Sequence, residues 1–288
     1  MTIGMSPDVR VKELEAIALS CRVDIIRMLA EAGSGHPGGS LSAIDAIVAL
    51  FFDKMRHDPA RPDDPDRDRF VLSKGHGVPA LYVAMAHAGY FPREELLTLR
   101  KLGSPLQGHP DRLRFPLIEA STGSLGQGLS IAQGVALASK LDGDRFRVYC
   151  LIGDGESQAG QIWEAAMSAP KFGLDTLCVI CDYNKGQIDG PIWEVMDLEP
   201  LVEKWRAFNW HVIEIDGHRF EEILAALDEA EATKGLPTMI VAHTIKGKGV
   251  SFMENNVEWH GIAPSREQAD QAIAELLGQA EGGPDDGA

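Results

Sequence analysis

The sequence has few cysteines, no long apolar run and far fewer basic than acidic residues. Only four of its 288 residues are cysteine, and their spacing does not form a disulfide framework. No stretch of about 18 consecutive apolar residues occurs, which predicts that no segment spans a membrane. With 27 basic and 43 acidic residues, the formal net charge is -16. This charge argues against a nucleic-acid partner, because nucleic-acid phosphates attract basic surfaces.

Two of the cysteines form a C-x-x-C pattern, which is compatible with redox or zinc chemistry. Cys178 and Cys181 lie in the apolar segment 177–182, and no second pair has metal-ligand spacing. Buried packing is therefore the favoured interpretation. Residues 1–10 lack the basic and then apolar pattern of a signal peptide. These features together predict a reduced, cytoplasmic protein.

The apolar pattern alternates between helical and extended segments along the chain. Apolar spacing predicts helices over 7–32, 41–52 and 129–141, and strands over 69–73, 148–152, 177–180, 211–216 and 239–243. A loop is expected over 34–40. Alternating strands and helices with glycine-rich strand ends predict an α/β fold, a doubly wound, mainly parallel sheet flanked by helices. We expect one domain over 1–280 and a disordered tail over 281–288.

Polar residues follow two of the predicted strands directly. Asp154 stands in Gly153-Asp-Gly after one apolar run, and Asn184 ends Asp-Tyr-Asn after another. The carboxyl ends of strands are where open α/β sheets bind ligands. A carboxylate, an amide oxygen and a nearby backbone carbonyl suit a hard cation such as Mg²⁺, which commonly holds phosphates. The segment resembles the diphosphate–metal motif of thiamine diphosphate enzymes.

Four of the nine histidines lie in glycine-rich loops. They are His36 in S-G-H-P-G-G, His76 in K-G-H-G, His109 in Q-G-H-P and His260 in W-H-G. A single histidine beside glycine is usually a turn residue. Four such loops near predicted element ends indicate a ligand site, because glycine permits close backbone approach and imidazole can donate to phosphate or hydroxyl oxygen.

Together with the metal motif, these loops resemble the N-terminal half of transketolases, from about residue 10 to about residue 265. The resemblance implies the thiamine-diphosphate-binding fold of the PP type. It implies that the side chains of Asp154 and Asn184 and the carbonyl of Gly186 hold Mg²⁺, or another divalent cation such as Ca²⁺ or Mn²⁺.

The resemblance also assigns residues to cofactor and substrate. Those expected to bind thiamine diphosphate are His76, Gly123, Leu125, Gly153, Asp154, Gly155, Glu156, Asn184, Ile188 and His260. In detail, Gly155, His76 and His260 would contact the diphosphate. Gly123 and Leu125 would border the aminopyrimidine, and Ile188 would pack on the thiazolium. His36, His109 and His260 are the expected catalytic residues, and His36 and His109 would face the substrate and polarise its carbonyl and hydroxyls.

The implied activity is transfer of a two-carbon ketol group from a ketose, such as a ketose phosphate, to an aldose. No region resembles the next domain of transketolases, which supplies the glutamate that activates the aminopyrimidine. We therefore expect the N-terminal subunit of a split enzyme. It would need a C-terminal subunit, with a pyrimidine-binding domain and a C-terminal domain, in an α₂β₂ assembly whose active site lies at the interface.

One position departs from the family pattern. Many transketolases have a glutamate where this chain has Ala159, in a carboxylate network between two cofactor sites; synthases that use a pyruvate donor have alanine there. Glu156 or Glu164 could compensate, although ordinary surface or helix positions are the simpler interpretation. Substrate identity therefore stays open, including an unusual sugar or a carrier-bound dithiol that accepts a two-carbon unit. Less favoured alternatives are the α-subunit of a 2-oxoacid dehydrogenase and a cofactor-binding subunit without catalytic activity.

Overall fold

A five-stranded parallel sheet runs through the centre of the molecule. The computed structural model describes residues 7–143 and 146–281. The strands of the sheet are β1 (Arg69–Leu72), β2 (Val148–Gly153), β3 (Leu177–Tyr183), β6 (His211–Asp216) and β7 (Thr238–His243). Their spatial order is β1-β2-β3-β7-β6, and every neighbouring pair is parallel. The strands β4 (Gly186–Gln187) and β5 (Gly190–Pro191) form a separate antiparallel hairpin.

Helices cover both faces of the sheet. They are α1 (Pro7–Ala32), α2 (Pro37–Ala49), α3 (Val78–His87), α4 (Gln127–Asp142), α5 (Gly160–Lys171), α6 (Ile192–Val195), α7 (Leu201–Ala207), α8 (Phe220–Ala232) and α9 (Arg266–Glu281). A π-helical turn, Leu50–Lys54, continues α2. The predicted doubly wound α/β fold is confirmed.

Strand β3 shows why the apolar runs are continuous. All seven of its residues are buried, because helices pack on both faces of the sheet. Cys178 and Ile180 join the core on the side of α1, α2 and α3, whereas Val179 and Cys181 join the core on the side of α4 and α5. The two cysteines of the C-x-x-C pattern therefore point to opposite faces. All four cysteines are free and buried, as the packing interpretation requires.

Two predicted boundaries were wrong by three or more residues. Helix α2 begins at Pro37, so four of the seven residues of the expected loop over 34–40 are helical. Proline is well suited to a first helical position, and the glycines after it permit close packing. A Cβ on Gly38 would lie 3.0 Å from the carbonyl oxygen of Trp259. Strand β3 continues past Ile180 to Tyr183, directly before Asn184.

The disordered tail and the single domain expected from the sequence both stay predictions. Glu281 is the last residue of α9, whereas the rest of the expected tail, 282–288, lies outside the described residues. The single domain over 1–280 stays a prediction. Among the helices described here, none has both the length and the apolar character needed to cross a membrane.

Candidate active site

The carboxyl ends of four strands surround one cavity. Lys74 follows β1, Asp154 follows β2, Asn184 follows β3, and Lys246 lies in the turn after β7. All four line a cavity of about 290 Å³. Of the ten residues expected to bind the cofactor, only Gly123 lies outside this lining. A larger open groove of about 660 Å³ adjoins it and shares Asn184 and Lys246.

Asp154 is held in place by two backbone amides. Its Oδ1 accepts a hydrogen bond from Gly155 N (2.7 Å), and its Oδ2 accepts one from Lys185 N. The side chain is buried, and burial together with the nearby carboxylate of Asp182 raises the pKa of Asp154 to about 7. The Gly155 amide, expected to contact the diphosphate, thus donates to Asp154 in this structure.

Asn184 is oriented by Asp182, two residues earlier. Asn184 Nδ2 donates to Asp182 Oδ2 (2.9 Å) and to Ser42 Oγ (3.4 Å). Its Oδ1 accepts from Gly186 N (3.1 Å). With the amide nitrogen committed to Asp182 and Ser42, the oxygen is the atom left to face a ligand.

Lys246 places a cation in the same cavity. Its side chain is buried, and its Nζ donates to the carbonyl oxygen of Gly186 (2.8 Å) and lies 3.0 Å from His260 Nδ1. Burial, with the charge of Lys74, lowers the pKa of Lys246 to about 8. An ammonium held in a poorly solvated cavity attracts an anionic group strongly.

The four predicted histidines converge around His36. The centre of its ring lies 5.4 Å from that of His76, 5.8 Å from that of His109 and 5.7 Å from that of His260. The rings of His76 and His260 are 5.0 Å apart. Among the described residues, no hydrogen-bond partner reaches the buried Nδ1 of His36. The loops that carry these residues are up to 224 positions apart (36 to 260).

The histidine cluster is uncharged at neutral pH. Burial, and then the charge of Arg100, lowers the pKa of His36 to about 4, and the same causes lower the pKa of His109. Burial and Lys246 lower the pKa of His260 to about 3. Burial and Lys74 hold the pKa of His76 well below its usual value. Each neutral ring offers one N–H donor and one acceptor.

The remaining predicted residues lie at the rim of the site. Leu125 and Ile188 line the cavity and are 42% and 68% exposed. Gly123 has a φ of 141°, and a Cβ there would lie 3.0 Å from the His109 ring. Gly123 therefore permits the close approach of His109 rather than lining the cavity itself.

Glu156 is not a surface residue, so that interpretation was wrong. Its Oε1 accepts hydrogen bonds from Ser73 Oγ and Gly126 N (2.8 Å), and its Oε2 accepts from Gly153 N (3.0 Å). The residue is 3% exposed, and burial raises the pKa of its carboxyl group. Although Glu156 lines the cavity, its carboxylate oxygens bind the protein's own loops. Glu164 is exposed on α5.

Sequence reasoning missed three charged residues of the site: Lys74, Asp182 and Lys246. Lys74 and Asp182 form a buried ion pair, with side chains 1% and 2% exposed. Lys74 belongs to the K-G-H-G motif described above, and Asp182 belongs to the Asp-Tyr-Asn motif. The available signals were a carboxylate at the end of an apolar strand and lysines in glycine-rich turns after strands. Gln187, beside Gly155, was also missed.

The donor set fits a hard divalent cation. A carboxylate, an amide oxygen and a backbone carbonyl are the oxygen ligands that Mg²⁺ and Ca²⁺ prefer. The Gly186 carbonyl oxygen accepts a hydrogen bond from the ammonium of Lys246. Across 7–143 and 146–281, no three His, Cys, Asp or Glu side chains form a metal cluster. The proposed donors are of a different kind.

A family model described as "Transketolase, thiamine diphosphate binding domain" matches residues 14–281, nearly the whole chain. The chain belongs to the transketolase family. The matching domain is described by its binding of thiamine diphosphate, which is therefore the cofactor of this family. The predicted family and ketol-transferase class are confirmed.

Individual relatives include separate subunits and longer chains. The 6-deoxy-6-sulfo-D-fructose transketolase subunit SqwG of Clostridium sp. (strain MSTE9) is 49% identical, over 91% of this chain and 97% of that protein. An apulose-4-phosphate transketolase subunit of Phocaeicola vulgatus is 42% identical, over 93% and 95%. The structure of the Leishmania mexicana transketolase matches with a TM-score of 0.87 and 33% identity, over 92% of this chain and 41% of that one. The chain is thus of the N-terminal, diphosphate-binding subunit type.

Proposed function

We propose that this chain binds thiamine diphosphate with a divalent cation and, with a complementary subunit, transfers a two-carbon ketol group from a ketose to an aldose. The observation that carries the proposal is the convergence of Asp154, Asn184 and Gly186 with four neutral histidines at one edge of the sheet. A non-catalytic binding subunit would need the metal ligands, His76 and His260, but not His36 and His109.

The metal would be held by the carboxylate of Asp154, the Oδ1 of Asn184 and the carbonyl of Gly186. A carbonyl oxygen has two lone pairs, so Gly186 can bind Lys246 and a cation together. Mg²⁺ is the proposed ion, with Ca²⁺ or Mn²⁺ as substitutes, because all accept hard oxygen ligands. The cation would hold and screen the diphosphate.

The charged and the neutral side chains of the site would bind different groups of the cofactor and the substrate. Bound thiamine diphosphate supplies a thiazolium that acts as the electron sink for cleavage beside a ketose carbonyl. Lys246 would offset diphosphate charge, and His76 and His260 would donate neutral N–H groups to it. His36 and His109 would donate to the carbonyl and hydroxyl oxygens of the sugar, with His260 at the boundary between cofactor and substrate. Because all four rings are neutral near pH 7, they can donate and accept without an added charge.

The exposed rim of the cavity supports the proposal that a second subunit completes the site. Leu125 and Ile188 would contact the aminopyrimidine and thiazolium, yet both are largely exposed. A complementary C-terminal subunit, carrying a pyrimidine-binding domain, would cover them and supply the glutamate that activates the cofactor. An α₂β₂ assembly and a cytoplasmic location are part of this proposal.

The names of related subunits support a class of substrates for this chain. The two relatives with the names quoted above act on 6-deoxy-6-sulfo-D-fructose and apulose 4-phosphate. Both names describe sugars with an acidic group, a sulfonate or a phosphate. We propose a ketose of this anionic class as donor, in a specialised pathway, and a panel of donors and acceptors identifies the sugar. Loading of a carrier-bound dithiol is the alternative acceptor reaction.

The test is reconstitution. The purified chain is mixed with its candidate complementary subunit, thiamine diphosphate and Mg²⁺, and transfer from ketose to aldose is measured. We expect no turnover by the chain alone, turnover on mixing, and its loss in Asp154→Ala. The control Asp63→Ala changes an exposed carboxylate before β1 and should leave turnover unchanged. Sustained turnover by the isolated chain, or full activity of Asp154→Ala, would refute the proposal.

A further inference from the structure

His218 connects a buried carboxylate to the loop that carries Lys246. It lies just after β6, and its side chain is 11% exposed. His218 Nδ1 is 2.7 Å from Asp45 Oδ2 on α2. On the other side of the ring, the backbone amide of Ile245 donates to His218 Nε2 (2.8 Å). No motif in the sequence marked this residue.

The ion pair between Arg22 and Asp45 determines which nitrogen of the His218 ring carries the proton. Arg22 donates to both oxygens of Asp45, at 2.9 Å and 2.6 Å, and both side chains are buried. Although burial alone would raise the pKa of Asp45, Arg22 and His218 bring it below its usual value. An ionised Asp45 can only accept, so Nδ1 of His218 carries the proton. Nε2 is then free to accept from Ile245.

The amide that His218 binds belongs to the Thr244–Ile245 peptide, which lies one residue before Lys246. The Nζ of Lys246 reaches the Gly186 carbonyl and His260, as described above. The loop has other attachments: Thr244 Oγ1 donates to Asp182 Oδ1, and Gly247 N donates to Gly38 O (3.0 Å). These contacts hold the loop on either side of Ile245 and Lys246. A change at His218 should therefore affect this peptide rather than the fold.

We propose that His218 is a positioning residue for cofactor binding, which fixes the Ile245 amide and so directs Lys246 toward the diphosphate. The inference rests on the proposed function, because it assumes that thiamine diphosphate occupies the cavity at Lys246. His218 itself does not line that cavity. It lines the neighbouring groove of about 660 Å³ and, on the side of Arg22 and Asp45, a smaller cavity of about 170 Å³.

Two amide variants separate the two bonds of the ring. The oxygen of glutamine in His218→Gln can occupy the position of Nε2 and accept from Ile245. The shorter asparagine in His218→Asn can donate to Asp45 from the position of Nδ1 but leaves the Ile245 amide unpaired. Thiamine diphosphate is titrated into the full chain with saturating Mg²⁺, alone and with the complementary subunit. Hydrogen exchange at the Ile245 amide is measured in parallel.

We expect about tenfold weaker binding and faster Ile245 exchange for His218→Asn, and binding within about twofold of the unaltered chain for His218→Gln. His211→Asn is the matched control. His211, at the other end of β6, pairs with Glu229 (2.7 Å). This change should leave affinity unaltered.

The outcomes distinguish the two claims. No binding by the unaltered chain under either condition would refute the proposed function. Binding by the unaltered chain with equal affinity in His218→Asn would refute the positioning role alone. Equal losses in both His218 variants would also refute it, because a purely structural histidine would not be rescued by an acceptor placed opposite Ile245.

Discussion

The buried ion pair between Lys74 and Asp182 leads to a quantitative prediction about stability. Lys74 Nζ donates to Asp182 Oδ2 and to Gly39 O (2.7 Å). Asp182 also accepts from Ser42 Oγ (2.7 Å) and from Asn184 Nδ2 (2.9 Å). The carboxylate thus has several donors, but within the described chain its direct ion-pair partner is the ammonium of Lys74.

Lys74→Met removes that charge and keeps a long unbranched side chain. Breaking a buried pair by removing one partner costs about 3–5 kcal/mol, because the remaining charge stays buried. The free energy of unfolding of a domain is typically about 5–15 kcal/mol, so this loss is a large fraction of it. We therefore expect a cooperative unfolding transition at a markedly lower urea concentration.

The loss should depend on pH in a definite direction. Burial alone would raise the pKa of Asp182, but Lys74, Ser42 and Thr244 bring it below its usual value. In the unaltered protein this carboxylate contributes stability above about pH 4, which is lost as the pH falls. Without Lys74, burial dominates and the folded-state pKa of Asp182 rises above the unfolded value. Protonation then removes the buried charge. The difference in the free energy of unfolding between Lys74→Met and the unaltered protein therefore becomes smaller as the pH falls.

The measurement is urea unfolding followed by circular dichroism and tryptophan fluorescence between about pH 5 and pH 8. Lys101→Met is the control, because Lys101 and Glu31 form a 2.6 Å pair whose side chains are 50% and 38% exposed. Its unfolding should match that of the unaltered protein. A loss below about 1 kcal/mol for Lys74→Met at neutral pH, the size typical of exposed pairs, would refute the reasoning. So would a deficit that is constant with pH.

Two further predictions concern backbone packing and thiols. Gly75→Ala should weaken thiamine diphosphate binding about tenfold or more. The new Cβ would lie 2.7 Å from Gly123 N and would displace the segment carrying His76. Unchanged affinity in a titration would contradict this prediction. All four cysteines are buried, and burial raises the pKa of each thiol. A chromogenic disulfide reagent should therefore detect no thiol in the folded protein and four in urea; a thiol that reacts rapidly in the folded protein would show this account to be wrong.

Much of the site could be predicted because its signals are local. Asp154 and Asn184 directly follow apolar runs, and parallel strands bring their carboxyl ends to one edge of the sheet. The histidine loops were recognised by glycine content and by resemblance to a known family. The distances around His36 required the folded chain, since nothing in the sequence states that its loop faces those of His76, His109 and His260.

Burial of charged residues was the least predictable property. Glu156 follows a glycine-rich turn and was expected at the surface, yet its carboxylate binds the loops of Ser73 and Gly126. The partner of Asp182 lies 108 positions earlier, at Lys74. A pattern within one segment contains no information on such partners, because they are determined where distant segments meet.

The sequence by itself therefore determined the alternation of strands and helices, the polar residues that follow the strands, and the family. These depend on side-chain periodicity and on short motifs, which are properties of neighbouring residues. Only the tertiary structure decided which polar side chains are buried and which atoms they bind. Asn184 presents its oxygen because Asp182 takes its nitrogen, and Lys246 enters the cavity from a loop that His218 holds. Such arrangements depend on desolvation and on the packing of elements far apart in the chain.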